Sequence, residues 1–231
     1  MFDFLTDYET QALLLSLRVA TYTIVWLIPL GVGIAWVLAK KEFIGKNLLD
    51  SVIHLPLVLP PVVIGYLLLI SMGRQGVVGK WLYDSLGIVF SFNWRGAVLA
   101  CIVVALPLMV RSIRLSLESV DHKLEQAAAT LGASPVKVFF TITLPLIAPG
   151  IITGTMLSFA RSLGEFGATI SFVSNIPGET QTIPLAMYSF IETPGSETEA
   201  MRLCIISIVI ALASMMLSEW MSRYTHKRLR G

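Results

Sequence analysis

The stretch KLEQAAATLGASPVKVFFTITLPLIAPG, residues 123–150, separates two long apolar runs and differs from both. Leu124, Ala127, Ala128 and Leu131 recur at i, i+3, i+4 and i+7, which predicts a short helix with a narrow apolar face. Gly132 follows the last periodic residue and is a common helix terminator. Ser134 and Pro135 have the chemistry of an N-cap and a first helical residue. A second helix therefore begins at once, carries Val136, Phe139 and Phe140, and runs toward Pro145. Alanines in place of leucines leave the first helix slim, so it can enter a groove on a partner by close backbone contact. An ordinary interfacial connector would show similar amphipathic turns.

Outward from this elbow the chain turns apolar. Of 231 residues, 55% are hydrophobic and 14% charged, with a mean hydropathy of +0.76; globular chains carry about 25% charged residues. An all-α polytopic membrane protein is expected, with one domain over 1–231. Crossing a hydrocarbon core of about 30 Å takes roughly 20 helical residues. Five runs are long enough: 11–39, 51–72, 94–117, 145–173 and 199–221. A sixth span arises only if 145–173 divides, which would place the basic carboxyl tail outside. The first run is too long for a signal peptide and follows Asp3, Asp7 and Glu9, so it reads as a retained helix.

Basic residues orient the spans. With the N-terminus outside, the inner segments hold Lys40, Lys41, Lys46, Arg111, Arg114, Lys123, Lys137, Arg223, Lys227, Arg228 and Arg230, and the outer ones only Arg74, Lys80, Arg95 and Arg202. The elbow is then cytoplasmic. In the outer segment 73–93, Val78, Trp81, Leu82 and Leu86 have the spacing of a short helix lying in the interface.

Several chemistries are missing. The net charge is only +2 and no arginine cluster is interleaved with aromatics, which argues against nucleic acid. Cys101 and Cys204 lie inside predicted spans, so no disulfide is expected, and His54, His122 and His226 lack metal-ligand spacing. Without a P-loop, nucleophile elbow or HExxH helix, the chain is expected to do no bond chemistry. A membrane enzyme would need clustered acid, base or metal groups at one depth; a passive channel would need no slim loop of fixed length.

Gly154, Ser158, Arg161 and Glu165 fall at i, i+4, i+7 and i+11, a single helical stripe that Gly150 continues. Small residues let another backbone approach, and an intramembrane arginine usually faces a bundle interior or cavity. Arg161 lies sixteen residues past Pro145, about 24 Å of helix. Arg161 and Glu165 read either as a charge pair pinning helices or as an outer gate. Pro56, Pro60 and Pro61 free backbone carbonyls in the second run, either for the path or for a kink. Arg18 is placed to snorkel. The outer segment 174–198 carries Glu179, Glu192 and Glu197 without lysine or arginine, as a docking surface or a merely solvated loop would.

The order Gln126-Ala127-Ala128, Gly132, nine residues, Ile142-Thr143-Leu144-Pro145 resembles the cytoplasmic loop of permease subunits of bacterial ABC importers. One departure is that Gln126 holds the family's glutamate position, with Glu125 one residue earlier. Residues 54–69, 94–118 and 158–188 extend the likeness to the molybdate importer permeases, over essentially the whole chain; sulfate and thiosulfate permeases share a similar LGEFG stretch. The resemblance implies a type I importer permease fold with a coupling-helix loop over about 118–145, and a homodimer in a bacterial inner membrane. It further implies that Glu125, Gln126, Ala127, Ala128, Leu131, Gly132 and Ala133 dock two cytoplasmic ATPase subunits. ATP and Mg2+ would belong to those subunits, with no cofactor in this chain. An external binding protein would deliver the oxyanion, molybdate or else tungstate, sulfate or thiosulfate, to a path that works by alternating access.

Overall fold

A computed structural model describes residues 5–230, with side chains through residue 217 and at Trp220. Asp3 and the side chains of Arg223, His226, Lys227, Arg228 and Arg230 lie outside the described residues. The described residues form helices and no strands. In chain order these are α1 (Asp7–Lys40), α2 (Lys46–His54), a 3-10 turn (Leu55–Leu57), α3 (Pro61–Met72), α4 (Val77–Leu86), α5 (Trp94–Glu118) and α6 (His122–Thr130). Then come α7 (Pro135–Val138), a π turn (Phe139–Thr143), α8 (Leu144–Leu146), α9 (Ala148–Leu163), α10 (Gly167–Val173), α11 (Ile183–Glu192) and α12 (Glu197–Arg230).

Three helices, α1, α5 and α12, are long and apolar enough to cross a membrane; two bent pairs raise that number to five if each makes one span. The five runs read from hydropathy are thus recovered, with two corrections. Residues 51–72 do not form one straight helix: the Pro60-Pro61 step turns the chain by 113° between Lys46–Leu57 and Pro61–Met72, as expected where two consecutive residues cannot donate a helix hydrogen bond. The fourth run bends by 64° at Ile147 and then ends as a helix at Leu163, where Gly164 caps α9, and α10 starts after Phe166. Residues 77–86 form the short helix expected between the second and third runs.

α5 is the centre of the bundle. Ala97, Ala100, Cys101, Val104 and Ala105 are buried along it, and such small side chains allow close helix approach where lipid supplies no hydrophobic drive. Its first half joins Val19, Ile64, Leu68 and Phe172 in one cluster. Its second half joins Leu27, Leu38, Ile53 and Ile147 in another. A third cluster, Ala12, Leu13, Ile183, Ala186 and Leu203, binds the start of α1 to α11 and α12. Outward-facing Leu14, Trp26, Leu67, Ile205, Leu212 and Met216 remain exposed, the pattern of a surface solvated by acyl chains.

Two ion pairs tie the ends of α1 to opposite faces of the bundle. At its start, Glu9 is fully buried, closes a capping box with Thr6 and accepts hydrogen bonds from Arg202 of α12 at 2.8 and 3.1 Å. At its end, Lys40 pairs with Glu125 of α6. The elbow and the α11–α12 junction therefore lie on opposite faces.

Candidate functional site

The elbow is built by its local sequence. Asp121 caps α6 by accepting from the Lys123 amide at 2.9 Å. Gly132 ends it at φ +84, with the Gly132 amide donating to the Ala129 carbonyl and the Ala133 amide to the Ala128 carbonyl, at 3.0 and 3.1 Å. This paired closure is the Schellman arrangement, and the left-handed residue within it favours glycine. Ser134 then caps α7, whose first residue is Pro135. The next turn widens to π geometry just before Pro145, whose ring cannot donate and would crowd the carbonyl four residues back in a regular helix. Beyond it the chain bends by 64° into α9.

Glu125 joins three elements across this elbow. One carboxylate oxygen lies 2.7 Å from Lys40 Nζ at the end of α1, and the other accepts from Thr143 Oγ1 in the π turn at 2.7 Å. His122 Nδ1 stands 3.4 Å from the first oxygen and 3.2 Å from Lys40 Nζ. Burial works against the charged form of Glu125. Hydrogen bonds from Lys40 and Thr143, the Lys40 charge and the His122 contact outweigh that burial and hold the carboxyl below its ordinary value of 4.5. One carboxylate thus links α6 both to α1 and to the turn that feeds α9.

The other predicted docking residues stand beside this network, and Gln126 and Ala133 line one cleft with Lys40, His122, Glu125 and Thr143. Gln126, Ala127 and Gly132 are exposed, Ala128 and Ala133 half-buried. Leu124 is 49% and Leu131 89% exposed, so these two leucines of the apolar stripe of α6 are left largely uncovered by the described residues. Beside it that cleft, of about 1030 Å³, opens between Trp36 of α1 and its capping residue Lys41 on one side and Gln126, Val136 and Phe140 of the elbow on the other. At the departure, Glu125 makes the links to Lys40 and Thr143, while its neighbour Gln126 is exposed and lines the cleft.

The predicted stripe on α9 divides. Gly154 and Ser158 are buried against α5, where a Cβ added to Gly154 would meet Met109 Sδ at 2.9 Å and Ser158 Oγ donates to the Ala105 carbonyl at 3.4 Å. Gly150 makes a similar seat, its carbonyl accepting from Ser112 Oγ at 2.9 Å. Arg161 and Glu165 come together, with Nη1 and Oε2 2.6 Å apart, although this oxygen has no aligned hydrogen bond. Glu165 is not on the helical stripe, however, because α9 ends at Leu163. Its other oxygen instead accepts from the Ala168 amide at 2.7 Å and closes the first turn of α10.

Sequence reading passed over Lys40, His122 and Thr143 as partners of Glu125. Thr143 sits inside the recognised Ile-x-Leu-Pro segment and Lys40 ends the first apolar run, but their convergence on one carboxylate needs the fold. Arg18, placed by the sequence to snorkel, has its guanidinium 3.9 Å from the centroid of the Trp94 ring at the start of α5.

Comparison with known proteins matches these features. The family model described as "Binding-protein-dependent transport system inner membrane component" covers residues 28–231. The molybdenum transport system permease protein ModB of Escherichia coli K12 is 65% identical over 224 residues, spanning 97% of this chain and 98% of that protein. Its Haemophilus influenzae counterpart is 63% identical, spanning 96% of each. A probable sulfate transport system permease protein of Chlorokybus atmophyticus is 39% identical over 70% of this chain and 56% of its own length. Among solved structures, a bacterial alginate ABC transporter in complex with its alginate-bound periplasmic protein superposes with a TM-score of 0.77 at 19% identity, over 96% of this chain and 80% of that one. An inward-facing MetNI methionine ABC transporter superposes at 0.67 and 13% identity, over 94% of both; at these identities the likeness concerns the fold. With the capped elbow, its uncovered apolar stripe and matches over nearly the full length, the chain belongs to the family of binding-protein-dependent transport system inner membrane components.

Proposed function

We propose that this chain is the permease of an ATP-driven molybdate importer, working as a homodimer with two ATPase subunits on the elbow side and a binding protein on the opposite side. The observation that carries the reading is the link through Glu125. A helix whose apolar stripe is bare is wired by one carboxylate to α1 and to the turn that enters α9, as a part moved by a soluble neighbour should be. ATP and Mg2+ belong to that neighbour. Closure of the two ATPase subunits drives Gln126–Gly132 inward, the paired permeases part on the far side, and the oxyanion enters between them. Residues 1–231 act as one transmembrane unit. The excess of basic residues in the elbow-side segments supports an elbow in the cytoplasm and an N-terminus outside the inner membrane.

In this scheme Arg161 and Glu165 flank the far end of α9 and act as a gate, the arginine exchanging its carboxylate for the passing anion. Gly154 and Ser158 seat α9 on α5 so that it can rock. Molybdate is preferred to sulfate because the molybdenum permeases match over nearly the full chain at 63–65% identity, against 39% for the sulfate permease. Reconstitution with the ATPase and the cognate binding protein tests the whole. ATP-dependent molybdate uptake is expected; equal uptake of sulfate overturns the substrate, and uptake without ATP overturns the importer in favour of a channel.

A further inference from the structure

On the face away from the elbow, between α1 and α5, lies a pocket of about 570 Å³ with a charged rim and an apolar floor. Arg18 and Arg95 both approach the ring of Trp94, at 3.9 and 5.8 Å from its centroid. Neither arginine has an ion-pair partner among the described residues. Two guanidinium groups gathered on one indole repel each other, and with no carboxylate paired to either among the described residues their combined charge favours an anion there. Tyr22 packs edge-on against Trp94 at 5.3 Å and walls one side of the pocket.

The floor runs toward the middle of the bundle. α1 and α5 both lead from this face to the elbow face. Trp26 therefore lies about 12 Å deeper than Arg18, and Ile102 about 12 Å deeper than Trp94, at 1.5 Å per helical residue. Tryptophan and arginine at the rim mark headgroup depth, and the apolar end points into the hydrocarbon. An inorganic oxyanion would find polar donors only at the mouth and nothing for its other faces. A molecule with a charged phosphate and an acyl chain matches both ends.

We propose that this pocket binds an anionic glycerophospholipid, its phosphate held by Arg18 and Arg95 over Trp94 and one acyl chain lying along Trp26 and Ile102. Such a lipid would fasten α1 to α5 on the side away from the elbow. The leaflet, though not the binding, rests on the orientation proposed above.

Native mass spectrometry of the purified full-length protein with equimolar phosphatidylglycerol and phosphatidylcholine tests this. The wild type should retain phosphatidylglycerol preferentially, and an R18Q/R95Q variant should lose about tenfold or more of that retention, in keeping with two charge-assisted contacts. R18K/R95K should keep most of it. Trp26→Ala, which removes an exposed wall of the floor without touching the charges or the core clusters, should also weaken retention and guards against a simple folding defect. Equal retention of the two lipids, indifference to R18Q/R95Q, or displacement of the lipid by millimolar molybdate would each overturn the proposal. So would a rapid disulfide between two copies carrying Tyr22→Cys, since a second copy would then cover the pocket. None of these readouts depends on transport, so failure here leaves the importer reading standing, and failure of the importer leaves this site standing.

Discussion

Lys40 Nζ and Glu125 Oε2 stand 2.7 Å apart and join the end of the first membrane helix to the first helix of the loop, 85 residues later. Both side chains are largely covered, at 14% and 20% exposure. The pair is therefore more than a solvated surface bridge and less than a buried one.

Glu125→Gln should cost about 1–2 kcal/mol, between the exposed and buried limits for removing one partner of an ion pair. The carboxyl of Glu125 is held below its ordinary value of 4.5. Its contribution is therefore complete above that value and disappears as pH falls through the lower folded value. Thermal unfolding of wild type and Glu125→Gln across pH 3–8 should show a constant gap near neutrality that closes only in acid. A gap that stayed constant down to pH 3 would mean that the charge of Glu125 does not stabilise the contact.

Gly132 occupies the left-handed region at φ +84, with open space around its Cβ position. Substitution is thus strained by backbone alone, and Gly132→Ala should cost roughly 1–2 kcal/mol of elbow geometry. The overall fold should persist, because this turn is exposed and separate from the three core clusters. Stimulation of the ATPase by the reconstituted permease should fall several-fold while the melting temperature of the isolated permease changes little. Unchanged stimulation would detach the elbow from coupling.

At the crossing of α3 with α10, a Cβ on Gly65 would press on the Ala168 carbonyl oxygen and lie 2.9 Å from Ala168 Cα. Backbone cannot rotate away as a flexible side chain can. Gly65→Ala should therefore destabilise by about 1–3 kcal/mol, the range for overpacking. Chemical unfolding in detergent would measure it, with Gly33→Ala, which meets nothing within 4 Å, as the silent control.

How much of this was legible in the sequence depended on range. α1, α5 and α12 announced themselves as apolar runs without breaks, and the elbow as a glycine stop followed by a serine–proline start. The end of α9 is hidden in the sequence because residues 145–173 stay apolar on average despite Arg161 and Glu165, and hydropathy does not record that Glu165 turns to accept the Ala168 amide. The two glycines flanking that turn, Gly164 and Gly167, were the available signal. Glu9 and Arg202 are 193 residues apart, and no periodicity carries information over that distance. Only the folded bundle brings them together.

Glu165 is 1% exposed and Arg161 31%, so Arg161→Gln leaves a buried carboxylate without its counter-charge. The expected loss is about 2–4 kcal/mol, below the full buried-pair figure because the arginine is partly open. Pairing it with Glu165→Gln should recover most of that stability. Transport then separates the two roles: a stable double variant that imports normally leaves only a structural pin, whereas a stable one with impaired uptake is the outcome the gate requires.

Sidedness can be tested at two exposed positions. Leu131 crowns the elbow, 89% exposed. Glu179 lies in an exposed turn beside the start of α1, where a Cβ on the neighbouring Gly178 would approach Gln11 Oε1 at 3.4 Å. Because Lys40 and Glu9 tie the two ends of α1 to opposite faces, cysteines at 131 and 179 must be reached from opposite sides of any membrane this bundle spans. In a background with Cys101→Ala and Cys204→Ser, an impermeant maleimide added to intact cells should label Glu179→Cys and spare Leu131→Cys, and added to inverted vesicles it should do the reverse. The ATPase subunit should then protect Leu131→Cys in those vesicles, because the bare stripe of α6 is the surface it is expected to cover. Labelling of both positions from one side would contradict the fold itself, while the mirror-image pattern would leave the fold intact and reverse the orientation inferred from the basic residues.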